Sequence, residues 1–90
     1  MQVFNDDDDV VELNWNNIKN IKRDVFRTLF DGLKRNTNLK ALSLANTNLT
    51  DSTAEYLLEA VRQNKSLRVL NVESNYLSGN MLRVCNQRVP

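Results

Sequence analysis

Residues 33–44, LKRNTNLKALSL, recur 28 positions later as residues 61–72, VRQNKSLRVLNV. Leu33 falls on Val61, Asn36 on Asn64, Leu39 on Leu67, Leu42 on Leu70 and Leu44 on Val72. The match runs on in both directions, with Leu29 over Leu57, Thr47 over Asn75 and Leu49 over Leu77. A weaker copy opens the chain, where Leu13 and Trp15 lie 29 residues before Leu42 and Leu44. That copy has one extra residue in its turn, so Ile18 and Ile21 share the parts of Thr47 and Leu49. A unit this short cannot bury its apolar face alone. It must stack on the next, which commits the chain to an open, one-dimensional array.

Each unit reads LxxLxLxx[N/T]xL: Leu39, Leu42, Leu44, Thr47 and Leu49, then Leu67, Leu70, Val72, Asn75 and Leu77. A period of ~20–29 residues with this pattern is a leucine-rich repeat, one strand and one helix per unit. In the LxL segment apolar and polar residues alternate, so Leu42 and Leu44 point inward and Ser43 outward. The Thr or Asn at the ninth position follows the strand, where a short polar side chain hydrogen-bonds backbone groups of the turn. The chain holds 14 Asn and 13 Leu, against two Gly and one Pro.

Helices fill the intervals. Val25, Phe26, Leu29, Phe30 and Leu33 form a stripe of helical period over 24–35, and Ala54, Leu57, Leu58 and Val61 do so over 53–63. Asp24 is the expected N-cap of the first helix, and Ser52 with Glu55 reads as a capping box for the second. Asn36 and Asn64 stand where each helix stops and are expected in the left-handed C′ conformation. Strands are expected near 11–16, 40–45 and 68–73. The fold class is α/β: a right-handed leucine-rich-repeat solenoid of the long-helix, ribonuclease-inhibitor-like type, about two and a half strand–helix units. Residues 1–90 form one domain, with an acidic lead-in at 1–9, unit one at 10–38, unit two at 39–66 and an incomplete unit three at 67–90. After Leu77 only 13 residues remain, and Met81 to Cys85 reads as a stub of a helix. That leaves an apolar, uncapped C-terminal end, through which self-association is expected.

The composition excludes several function classes. His is absent and Cys85 is the only thiol, so no Cys–His dyad, internal disulfide or cysteine-based zinc site can form. No nucleophile motif is present, so the chain reads as no enzyme, with no catalytic residue, no metal and no cofactor. The net charge of +1 makes no case for nucleic acid. No apolar run reaches the ~18 residues of a membrane helix. Charge is unevenly placed. Residues 1–13 carry five acids and no base, whereas residues 14–90 carry 12 bases and six acids. The run Asp6–Asp9 lacks any cation-loop spacing and reads as a solvated junction. Trp15 reads as core. Tyr76, between the turn residue Asn75 and core Leu77, should project as an interface anchor or pack on the neighbouring turn.

NDDDDVVELNWNNIKNI (5–21), LKRNTNLKALSLANT (33–47) and LRVLNVESNYLSG (67–79) resemble the leucine-rich-repeat domain of the tropomodulin and leiomodin family, proteins of the actin filament's pointed end. The NNIKNI and VESN turns carry the most specificity. The resemblance covers roughly residues 5–80. Beyond it Cys85-Asn86-Gln87-Arg88 looks like a later family stretch moved directly behind the third turn, which implies an internal deletion and a truncated domain. The resemblance implies an actin-binding module that regulates filament length. It also implies a cytoplasmic location in the cytoskeleton, including the sarcomeric thin filament of muscle. Tropomyosin binding belongs to family regions outside this chain. The family's actin site along the repeats uses the loops between strand and helix. Carried over, these are Asn17–Lys22, Ala45–Thr50 and Asn75–Asn80, with Asn17, Lys19, Lys22, Ala45, Asn46, Asn48, Asn75 and Tyr76 as candidate contacts. The alternative is a repeat scaffold that binds another protein through its Asn14, Ser43 and Asn71 strand face.

Overall fold

A computed structural model describes residues 11–88, with side chains through Cys85. The acidic run Asp6–Asp9 lies outside the described residues. The elements alternate: β1 (Glu12–Asn14), α1 (Arg23–Arg35), β2 (Ala41–Ser43), α2 (Asp51–Gln63), β3 (Val69–Asn71) and α3 (Gly79–Arg88). The strands form one parallel sheet in the order β1-β2-β3, with Leu13, Leu42 and Leu70 in register. This is the α/β repeat solenoid expected from the 28-residue period.

The core lies between sheet and helices. Leu42 and Leu44 are buried from β2, and Phe26, Leu29, Phe30 and Leu33 are buried from α1. Leu57, Ala60 and Val61 of α2 sit beside them with Leu39, Leu49 and Leu67. These are the residues whose spacing marked the repeat. On the edge strand β1, Leu13 and Trp15 pack against the core but stay half-buried. Of the two isoleucines that share one role in the first turn, only Ile21 packs inward, while Ile18 is 45% exposed.

Four expectations about element ends are corrected. The strands are three residues long, although the backbone ladder adds a bond beyond each, from Lys40 N to Val11 O and from Trp15 N to Ser43 O. α1 starts one residue before Asp24, on the extended residue Lys22, without a side-chain cap. Asp24 lies inside the first turn, where its charge still favours the helix N-terminus. α2 starts at Asp51 after the extended residue Thr50, so Ser52 lies within the helix and the capping box is unused. The reason is a bridge between Thr50 and Tyr76, with Tyr76 N donating to Leu49 O at 2.9 Å, which holds Thr50 extended. Finally, Asn36 and Asn64 are extended rather than left-handed, at φ −70° and −74°. Each turns the chain with its side chain instead. Asn36 Oδ1 accepts from Asn38 N and Leu39 N, and Asn64 Oδ1 accepts from Ser66 N and Leu67 N.

The stub expected after Leu77 is a helix. The Ser78 hydroxyl accepts from Met81 N at 3.0 Å and the Ser78 carbonyl from Leu82 N at 2.9 Å, which starts α3. Asp51 Oδ1 accepts from Ser78 N at 2.9 Å and ties this start to α2. Cys85 is fully buried against the core, and Met81 and Leu82 pack beside it.

Candidate functional site

Where each strand leaves the sheet, the three turns stack into a continuous edge. Positive-φ backbone sits at Asn17 (69°), Asn46 (57°), Asn48 (59°) and Ser74 (59°). Asparagine tolerates this conformation because its short amide can hydrogen-bond locally. Asn17, Asn46 and Ser74 fall 29 and then 28 residues apart, so the same kink recurs at the same level of each unit.

The kinked turns are bonded to one another. Asn17 N donates to Ala45 O at 2.9 Å and Asn46 N to Glu73 O at 3.0 Å. The side chains repeat the connection, with Asn46 Nδ2 donating to Asn17 Oδ1 and Asn48 Nδ2 to the Lys19 carbonyl, both at 3.0 Å. Asn16 Oδ1 accepts from Ser43 Oγ at 2.6 Å and from Ala45 N at 2.8 Å. Asn75 reaches furthest. Its Oδ1 accepts from Thr47 N and Leu49 N, and its Nδ2 donates to Leu44 O, Val72 O and Glu73 O.

The structure therefore brings Asn17, Lys19, Ala45, Asn46, Asn48 and Asn75 into one bonded edge. Asn75 and Ala45 are half-buried and act through their bonds. Tyr76 is 72% exposed and projects from the third turn. Of the two positions open to it, projection is the one found. Lys22 stands apart from the ladder, on an apolar patch with Trp15, Ile18, Ile21 and Val25 at the start of α1. Asn16 and Ser74 were not anticipated. Ser74 belongs to the VESN turn, but neither residue has a matching polar type one repeat away that would single it out.

The strand face is different. Asn14 Oδ1 accepts from Asn16 N and Asn71 Oδ1 from Glu73 N, so these side chains serve their own turns. With Ser43 bonded to Asn16, the small polar residues of this face are occupied within the fold. Among the described residues no group of His, Cys, Asp and Glu could hold a metal ion, and no helix is long and apolar enough to cross a membrane.

Comparison with known proteins bears on this geometry. Residues 1–89 match the family model described as the TMOD/LMOD leucine-rich domain. The chain is 42% identical over 77 residues to a tropomodulin of Caenorhabditis elegans, covering 86% of this chain and 20% of that protein. It is 38% identical over 78 residues to leiomodin-3 of Mus musculus, covering 87% of this chain and 14% of that protein. Among solved structures, the C-terminal domain of Caenorhabditis elegans tropomodulin superposes with a TM-score of 0.87 at 37% identity, over 97% of this chain and 52% of that one. Actin-binding site 2 of leiomodin-1 superposes with a TM-score of 0.86 at 29% identity, over 97% and 50%. The chain thus spans a fifth or less of the curated relatives and about half of each solved domain.

Proposed function

The chain belongs to the tropomodulin and leiomodin leucine-rich-domain family, and on that premise we propose that it is a non-catalytic actin-binding module of the cytoskeleton, which engages the filament's pointed end through its turn edge. The observation that carries this reading is the likeness, over 97% of the chain, to a leiomodin-1 domain identified as an actin-binding site.

The edge suits the task physically. Its turns are bonded to each other at backbone and side-chain level, so little conformational freedom is lost when a partner docks. Tyr76 offers a large amphipathic side chain on a fixed backbone, the kind of residue that anchors an interface. Exposed Lys19 and Lys22 add positive charge at the first turn, which steers an acidic partner surface toward the edge. Asn17, Ala45, Asn46, Asn48 and Asn75 shape the surface and supply polar contacts between these points. Contact with tropomyosin belongs to other parts of the family's proteins.

Cosedimentation with filamentous actin and pointed-end elongation assays test the reading. Tyr76→Asp should weaken binding at least about tenfold, the loss of one anchor of ~1.4 kcal/mol or more, with an unchanged circular dichroism spectrum. Val69→Arg, on the exposed strand face, should leave binding intact. The reverse pattern would transfer the interface to the strand face.

A further inference from the structure

At the opposite end of the strands from the turn edge lies a cleft of about 250 Å³ between the α1–β2 and α2–β3 corners. Lys34, Arg35, Lys40 and Lys65 line it, with Thr37 and Ser66 between them, and no carboxylate is among its lining residues. Part of this charge has a local explanation. Lys34 and Arg35 close α1 and complement the negative end of its dipole. Lys40 and Lys65 stand beyond the helices, and the dipole does not account for them.

We propose that this cleft is the docking site of the chain's own acidic run, Asp6–Asp9. Three observations lead there. The first is reach. Val11 O accepts from Lys40 N at 2.7 Å and from Ala41 N at 3.1 Å, so the chain enters the fold beside Lys40. Asp9 is two residues upstream and Asp6 five, so an extended chain carries them at most ~7 Å and ~18 Å from Val11.

The second is the repeat itself. Asn64 Nδ2 donates to Leu33 O and Asn36 O of the preceding unit, at 2.8 and 3.0 Å, and Ser66 Oγ donates to Leu39 O at 2.8 Å. Each corner thus rests on the corner one unit behind it. The 29-residue offset of the first unit puts Asp7, Asp8 and Asp9 one repeat behind Asn36, Thr37 and Asn38.

The third is charge. Five acids occupy residues 1–13 with no base, and four of them are consecutive. A four-fold cation cluster facing a tethered four-fold anion makes a pair whose effective concentration is on the order of millimolar. The docked run neutralises a cleft that would otherwise attract acidic segments of other proteins.

The test uses the full 90-residue chain and a blocked tetra-aspartate peptide as probe. Amide shifts of Thr37, Lys40, Lys65 and Ser66 are followed by NMR in the wild type and in the Asp6→Asn, Asp7→Asn, Asp8→Asn, Asp9→Asn variant. At equal peptide concentration the variant's amides should shift and the wild type's should shift at least about tenfold less, because its own run occupies the cleft. Equal shifts in both chains would overturn the proposal and leave the cleft to an acidic partner. No shift in either would overturn it by showing that the cleft takes no acidic peptide. Where the quadruple variant does not fold, Asp8→Asn with Asp9→Asn gives the same comparison at half the charge removed.

Discussion

Asn75 bonds the backbone on both sides of Thr47: its Oδ1 accepts from Thr47 N and Leu49 N, both at 2.9 Å, while its Nδ2 donates to Leu44 O at 2.8 Å. The asparagine of unit three therefore completes the turn of unit two. The ninth-position side chain is a bond between repeats as well as a local turn former. Thr47 has a smaller part, donating its hydroxyl to Leu44 O at 2.9 Å.

Asn75→Leu leaves several of these groups unpaired and should lower stability by about 1–3 kcal/mol. Thr47→Val should cost less, because Leu44 O keeps its bond from Asn75. Urea denaturation of the two variants should rank them in that order. An Asn75→Leu midpoint equal to the wild type would mean that water replaces the lost bonds.

Asn64 is 3% exposed, and its Nδ2 faces two carbonyls. In Asn64→Asp a carboxylate oxygen takes the donor's place. An unpaired buried charge of this kind should cost more than about 3 kcal/mol at neutral pH. The protonated acid can donate again, so the folded state raises this carboxyl's pKa. A raised pKa makes the penalty full above the folded value and relieves it below the unfolded value, ~3.9. The gap between variant and wild-type urea midpoints should therefore narrow as pH falls from 7 toward 4.

Burial pushes the Cys85 thiol up from its ordinary value, and the negative charge of Asp51 adds to the push. The folded chain thus holds the thiol proton more tightly than the unfolded one. The stability this contributes is complete below the unfolded thiol's pKa, ~8.5, and is lost as pH rises toward the folded value. The wild-type melting midpoint should fall more steeply between about pH 8 and pH 10 than that of Cys85→Ala. Parallel slopes would show that α3 opens before the thiol ionises.

Gly79 begins α3 without positive φ, and a Cβ built there meets nothing within 4 Å. Gly79→Ala should stabilise the chain by about 0.5–1 kcal/mol. Thermal melts should show the gain, accompanied by slower reaction of Cys85 with a thiol reagent as α3 frays less.

The repeat, the sheet and both 13-residue helices were legible because their signal is the spacing of apolar side chains, which survives in any local context. The starts of α1 and α2 were not. Asp24 and Ser52 have the chemistry of caps, but the bridge between Thr50 and Tyr76 decides where α2 begins, and it joins residues 26 apart. Asn36 and Asn64 were placed at the helix ends and given the wrong conformation, because asparagine can close a helix by a left-handed backbone or by its side chain. α3 was hidden because its apolar stripe is short, and its start depends on Ser78, held by Asp51. At the turn edge, the projection of Tyr76 could be read from its place between Asn75 and Leu77. The Asn16–Ser43 bond spans 27 residues and leaves no local pattern.

The two layers of the solenoid have different natural pitches. Paired strands lie ~4.8 Å apart, whereas packed helices need ~8–10 Å. Stacking β1, β2 and β3 against α1, α2 and α3 therefore makes every unit a wedge, thin at the sheet and thick at the helices. The turn edge joins the thin side to the thick side, so its three turns fan out along an arc. A flat partner would meet one turn at a time. A partner that grips all three must present a convex or stepped surface whose spacing matches the fan.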